Sequence, residues 1–209
     1  MPKAIVFTQT EIIEAAFDIF KQEGMPGISA RKIAAKLNSS TAPVYTSFNN
    51  IEEIKKVLLE KSLQVLITYT EQDYTSDIFL NIGVGMLEFA KDYGIIYRTL
   101  FIENNDHQYI LKEFTAKNLQ QMKKEKGMQV FSEAELQSIL EKLTIFTHGM
   151  ASFICAGMLK KTSQAYLVEI LENVGGDVIG ATALRNGKLE ELMKYHRNGG
   201  EKHEKNHHN

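Results

Sequence analysis

Residues 28–48, Ile-Ser-Ala-Arg-Lys-Ile-Ala-Ala-Lys-Leu-Asn-Ser-Ser-Thr-Ala-Pro-Val-Tyr-Thr-Ser-Phe, constrain the fold more than any other stretch, because they read as two short helices joined by a tight polar turn. Ser29 can cap the first helix, and Ile33, Ala34 and Leu37 recur at helical spacing while Arg31, Lys32 and Lys36 occupy other faces. Asn38 stands where the chain must leave that helix, and asparagine tolerates the left-handed backbone that a helix terminus demands. Ser40 is the expected cap of the second helix, which runs through Val44 to Phe48 and accommodates Pro43 in its first turn, where a missing N–H costs nothing. Small Ala34 lets the two helices cross closely. The predicted unit is a helix-turn-helix, whose second helix enters the major groove of DNA while the first crosses the phosphate backbone.

Ile33-Ala34, Leu37-Asn38, Ser40, Val44-Tyr45 and Phe48 resemble the pattern I-A-x-x-[AL]-G-V-S-x-x-x-L-Y-x-x-F of TetR-type (tetracycline-repressor-like) transcriptional regulators. An upstream helix agrees with that family: Thr8-Gln-Thr-Glu11 is a capping box, followed by an apolar face of Ile12, Ile13, Ala16, Phe17, Ile19 and Phe20 that ends at Gly24. Downstream, Asn50-Ile-Glu-Glu53 supplies a cap and an acidic first turn for a fourth helix. The resemblance covers about the first quarter of the chain. It implies DNA contacts from Arg31 on the first helix of the motif and from Thr41, Ala42, Pro43, Tyr45, Thr46 and Ser47 on the second. Arg31 suits a guanine edge or a phosphate, Thr41 a base edge, and Ala42 and Pro43 a thymine methyl or a close backbone approach. The Tyr45 phenol suits a phosphate, and its ring can pack on the first helix at the same time.

The chain also departs from the pattern. Asn38 replaces the usual glycine, Ser39 a usual apolar residue, and Asn49 and Ile51 stand where relatives often place lysines. Residues 1–50 carry five basic side chains (Lys3, Lys21, Arg31, Lys32, Lys36) against four acidic ones (Glu11, Glu14, Asp18, Glu23), a net charge of +1. Phosphate neutralisation supplies much of any affinity for DNA, so one such domain should bind weakly and two copies better.

The rest reads as helices. Ile54–Tyr69 forms a long fourth helix and Ile78–Asp92 a fifth, although Gly83 and Gly85 weaken its regularity; no strand precedes these glycines and no Lys-Ser/Thr follows, which excludes a phosphate loop. Gly94 breaks the chain before Tyr97-Arg98, Glu103 to Asp106 is a loop, and a helix resumes over Tyr109–Met122. Ser132-Glu-Ala-Glu135 caps a long helix that contains the apolar run Leu143 to Leu159. At 17 residues, with His148 and several hydroxyl groups, this run is better buried in protein than in a bilayer. A last long helix spans Ser163 to Leu184. In the resembled family the final two long helices pair with their copies as a four-helix dimer interface.

The expected architecture is all-α: an N-terminal three-helix helix-turn-helix DNA-binding domain (1–52), a C-terminal helical bundle for regulation and dimerisation (53–185), and a polar, flexible tail (186–209) with a short helix at 188–195. The four histidines at 196, 203, 207 and 208 are irregularly spaced for a metal site, so no metal and no cofactor is expected. An effector cavity is expected in the bundle, with Met86, Phe89, Tyr97, Phe101, Tyr109 and Phe114 as candidate apolar wall and His148 as a polar contact, although residues of these types at helical spacing are more often plain core.

A formal charge of −2 from 24 basic and 26 acidic residues excludes a polybasic DNA-wrapping protein. The single Cys155 cannot form an internal disulfide and residues 1–25 lack a signal core, which points to the cytoplasm. The partners implied are double-stranded operator DNA, a small-molecule effector and a second copy of the chain, with no membrane. No catalytic constellation is legible; the competing reading is a helical small-molecule carrier or enzyme that keeps a degenerate helix-turn-helix.

Overall fold

A computed structural model describes residues 7–103 and 108–200, with the backbone alone described for 108–113 and 196–200. Among the described residues the regular structure is entirely helical, as the periodicities predict. The helices are α1 (Gln9–Glu23), α2 (Ala30–Lys36), α3 (Ala42–Ser47), α4 (Ile51–Thr70), α5 (Ile78–Asp92), α6 (Gly94–Phe101), α7 (Gln108–Met122), α8 (Glu133–Cys155), α9 (Gln164–Arg185) and α10 (Leu189–Gly200), with short 3-10 turns at Met25–Gly27 and Met128–Val130.

Most helix starts sit where side-chain caps place them. The Thr8 hydroxyl accepts from the Glu11 N–H at 3.2 Å and the Glu11 carboxylate accepts from the Thr8 N–H at 2.8 Å. Ser132 and Glu135 repeat that reciprocal arrangement at α8, while Ser29 and Ser163 cap α2 and α9 singly. The start of α3 corrects the sequence expectation. Its N-cap is Thr41 rather than Ser40, no side chain caps it, and it stops at Ser47 with Phe48 as C-cap. The reason lies one turn upstream. Asn38 adopts φ +51°, its N–H bonds to the Ala35 carbonyl at 3.1 Å, and the Ser39 N–H bonds to the Ala34 carbonyl at 2.9 Å. This is a Schellman closure of α2, and it uses residues 38 and 39, so the chain needs two more before a helix can restart.

The chain divides into two compact units. The first holds α1–α4 as far as Tyr69, together with Phe89–Asp92 and α6. Ile12, Phe20, Ile33, Ile54, Leu58, Ile96 and Tyr97 are fully buried in it. Rings fill much of this interior: Phe89 stacks on Tyr93 with centroids 5.3 Å apart, Tyr69 meets both edge-on, and Tyr97 lies 4.7 Å from Phe101. The Tyr69 hydroxyl donates to Asp92 at 2.7 Å, which satisfies the polar end of an otherwise apolar ring.

The second unit holds Thr70–Glu88 and the helices from α7 onward. Helices α8 and α9 pack on each other, and Met122, Met128, Phe131, Leu136, Ile139, Leu140, Ala183 and Leu192 form one core. Gly127 is required there, because its φ is +87° and a Cβ would come within 3.0 Å of Leu192. The helix expected at 188–195 is present and longer; its Leu192 is 4% exposed, which ties the start of the polar C-terminal segment to this core. Lys188 adds an ion pair to Glu135 at 2.5 Å. No helix among the described residues is long and apolar enough to cross a membrane.

Candidate nucleic-acid interface and ligand cavity

Helix α3 is held by two residues one turn apart. Val44 is 1% exposed and Phe48 is 5% exposed, so both face the core, and Gln9 at the start of α1 donates to the Ser47 carbonyl at 2.8 Å. This anchoring turns the opposite face to solvent. Thr41, Ala42 and Thr46 are exposed, Pro43 and Ser47 half-buried, and Tyr45 is 57% exposed. All six α3-side positions implied by the resemblance therefore lie at or near one surface.

The polar ends on this surface differ in availability. The Thr46 hydroxyl donates back to the Ala42 carbonyl at 2.9 Å. Thr41, although the N-cap, makes no side-chain capping bond, and neither its hydroxyl nor that of Tyr45 has a hydrogen-bond partner among the described residues. On α2, Arg31 and Lys32 occupy the first turn, which contains no acidic residue and whose free N–H groups repel cations. Lys32 pairs with Glu23, and Lys36 pairs with Asp18 at 3.2 Å. Asp18 also pairs with Lys21 at 2.7 Å, and hydrogen bonds from Lys21 and then Lys36 hold its carboxyl below the usual carboxylate range. Arg31 has no acidic partner among the described residues. Lys3, the fifth basic residue of this region, lies outside them. Arg31, Thr41 and Tyr45 are thus unengaged donors exposed at the helix-turn-helix, whereas the lysines sit in exposed ion pairs of the kind worth only about 0–1 kcal/mol, which a phosphate can displace.

The second unit contains a cavity of about 260 Å³. Phe79, Leu80, Ile82, Gly83 and Met86 of α5, Leu140, Leu143 and Phe146 of α8, and Leu171, Val174 and Ile179 of α9 form its apolar wall; Thr75, Ser76, Asp77, Asn118, Thr144, Thr147 and Glu172 add polar groups. Glycine makes the space. Gly83, Gly175 and Gly176 contribute no side chain to it, and a Cβ on Gly175 would meet nothing within 4 Å. At Gly83 the neighbour is closer, since an added Cβ would lie 3.2 Å from Leu171.

Of the side chains proposed from sequence for such a cavity, Met86 lines this one. Phe89, Tyr97 and Phe101 lie among the rings of the first unit. Phe114 and His148 are half-buried and outside the lining, and the Tyr109 side chain lies outside the described residues. Burial pushes the His148 imidazole below its ordinary value. The lining residues that sequence reasoning did not name, chiefly Thr75–Asp77, Thr144, Thr147 and the α9 set, carried one available signal, the glycines inside helices α5 and α9. His203, His207 and His208 lie outside the described residues, as does the His196 side chain; no group of His, Cys, Asp and Glu among the described residues could hold a metal ion.

A further surface of the second unit is apolar and exposed. Ile145, Gly149 and Phe153 recur every four residues along α8, as Gly176, Gly180 and Leu184 do along α9. Ile145 is 66% exposed, Phe153 52% and Leu184 67%, and open space surrounds the glycines.

No family model matches the chain, and no curated protein does. Solved structures do. A TetR-like transcriptional regulator from Rhodococcus sp. RHA1 aligns over 84% of this chain and 95% of its own, with a TM-score of 0.54 at 15% identity. A candidate transcriptional regulator from Streptomyces coelicolor aligns over 80% of this chain and 98% of its own, with a TM-score of 0.53 at 17% identity. The fold is that of the TetR-like regulators.

Proposed function

We propose that this protein is a cytoplasmic transcriptional regulator, a repressor that binds a palindromic operator in double-stranded DNA as a homodimer and releases it when a small molecule enters the cavity of the second unit. It performs no catalysis in this reading. Residues 1–52 read DNA, 53–185 bind effector and second copy, and 186–209 form a polar C-terminal segment whose start packs on the second unit. The observation that carries it is the unengaged set Arg31, Thr41 and Tyr45, presented at a helix-turn-helix that Ile33, Ala34, Val44 and Phe48 anchor in the core. A cation left unpaired on the positive end of a helix is unfavourable for the isolated protein and favourable once a phosphate arrives.

The second copy follows from the apolar stripes. Monomeric proteins rarely leave several bulky apolar side chains together in water, and glycines between them permit close helix approach. Two recognition helices must also span roughly 34 Å to enter successive major grooves, which one chain cannot do. The test is a fluorescence-anisotropy titration over a range of salt, with palindromes from the neighbouring genomic DNA against random duplex. Site preference with a steep salt slope supports the reading. Equal, salt-independent signals with both DNAs would sink it in favour of a carrier or enzyme.

A further inference from the structure

The second unit's cavity carries charge of one sign. Asp77 and Glu172 are its charged lining residues, and no lysine, arginine or histidine lines it. Both carboxylates are exposed, which places them where the cavity meets solvent. Asp77 uses Oδ1 to accept the Leu80 N–H at 2.8 Å as the cap of α5, which leaves Oδ2 without a partner among the described residues. Glu172 makes no ion pair or hydrogen bond among them. A third carboxylate, Glu125, stands close enough to Asp77 that, after burial, the Asp77 charge is the next cause pushing it above its ordinary value. The remaining polar groups are hydroxyls and the Asn118 amide, which can hydrogen-bond a ligand but cannot neutralise an acid.

A ligand that enters must bury its body against Leu, Ile and Phe and leave its head beside two carboxylates. An anionic head there would add a like charge beside them, whereas a cationic head would offset the charges already present. We propose that the cavity takes an apolar molecule bearing a positive charge, an alkylamine or quaternary ammonium in chemical class, and discriminates against carboxylic acids of the same shape. This rests on the reading of the cavity as an effector site and adds the ligand class that the site selects.

Three probes that share an octyl tail and differ only in the head test it: octyltrimethylammonium, octanol and nonanoate, each titrated calorimetrically into the full chain. Octyltrimethylammonium should bind on the order of tenfold more tightly than nonanoate, with octanol between them. Asp77→Asn, which preserves the helix cap, combined with Glu172→Gln should erase that order. Nonanoate binding as tightly as the cation would overturn the charge assignment and leave the effector cavity standing. A cation preference that survives the double substitution overturns it too. Absence of binding by all three probes would remove both the ligand class and the effector site, while the DNA titration decides separately whether the protein is a regulator.

Discussion

The two units solve opposite problems with the same secondary structure. The first is filled: Phe20, Tyr97, Phe89 and their neighbours leave its interior to rings, and its chemistry is displayed outside, on Arg31, Thr41 and Tyr45. The second is hollow where glycine and threonine withhold volume, and its chemistry is inside. The contrast teaches that aromatic density and cavity formation are different signals. Rings at helical spacing find each other, since edge-on and offset pairs are favourable and large side chains fill space efficiently. A cavity forms where residues on several helices are too small to meet.

The sharpest way to break this contrast is truncation on both sides. Phe20→Ala should cost about 3–5 kcal/mol in denaturant unfolding, whereas Phe146→Ala, which widens an existing cavity, should cost clearly less. Equal costs would show the second unit to be as tightly packed as the first. Next in size, Arg31→Ala should weaken operator binding by roughly 1–2 kcal/mol and reduce the salt slope by about 1, with calorimetric binding of octyltrimethylammonium untouched. A loss at both places would contradict the assignment of one chemistry to each unit.

Smaller effects refine it. Gly176→Ala has open space for its methyl group and sits inside α9, so the chain itself should gain about 0.5–1 kcal/mol. If the stripe meets a second copy, sedimentation should show a weaker dimer in the same variant. Asp18→Asn frees Lys21 and Lys36 from their shared partner and should tighten DNA binding roughly threefold. Last comes acid titration. Lys188 first, and then the N–H and hydroxyl of Ser132, hold the Glu135 carboxyl down to about 2, from an ordinary value of 4.5. The stabilisation it provides is complete above pH 4.5 and is lost as pH falls toward 2, so Glu135→Gln should flatten the acid limb of the stability profile in that window.

Much of the fold could be read from the chain because helix caps are local. Thr8 with Glu11, Ser29, Asn50 with Glu53, Ser132 with Glu135, and Ser163 each act within three or four residues, and each marks a real helix start. Ser40 failed as a marker because the closure of α2 is a six-residue hydrogen-bond pattern, Ala34 to Ser39, invisible to a residue-by-residue search for caps. The exposed face of α3 was legible for a similar local reason: once Val44 and Phe48 point inward, helical geometry sends Thr41, Ala42 and Tyr45 outward. The cavity was not legible, since Asp77, Thr147, Leu171 and Gly175 come together only through tertiary packing. Gly83, Gly175 and Gly176, glycines inside helices, were its local trace.

Helix α3 is six residues long and has neither a side-chain cap nor an acidic first turn. A peptide of that length does not hold a helix in water, so its shape is borrowed from the hydrophobic anchors beneath it. Helix α3 should therefore be the earliest part of the first unit to fray, and amide exchange at Tyr45–Phe48 would register a loosening of that interior before any global transition did. In the proposed DNA complex, the bound lifetime should therefore follow how firmly Val44 and Phe48 hold α3.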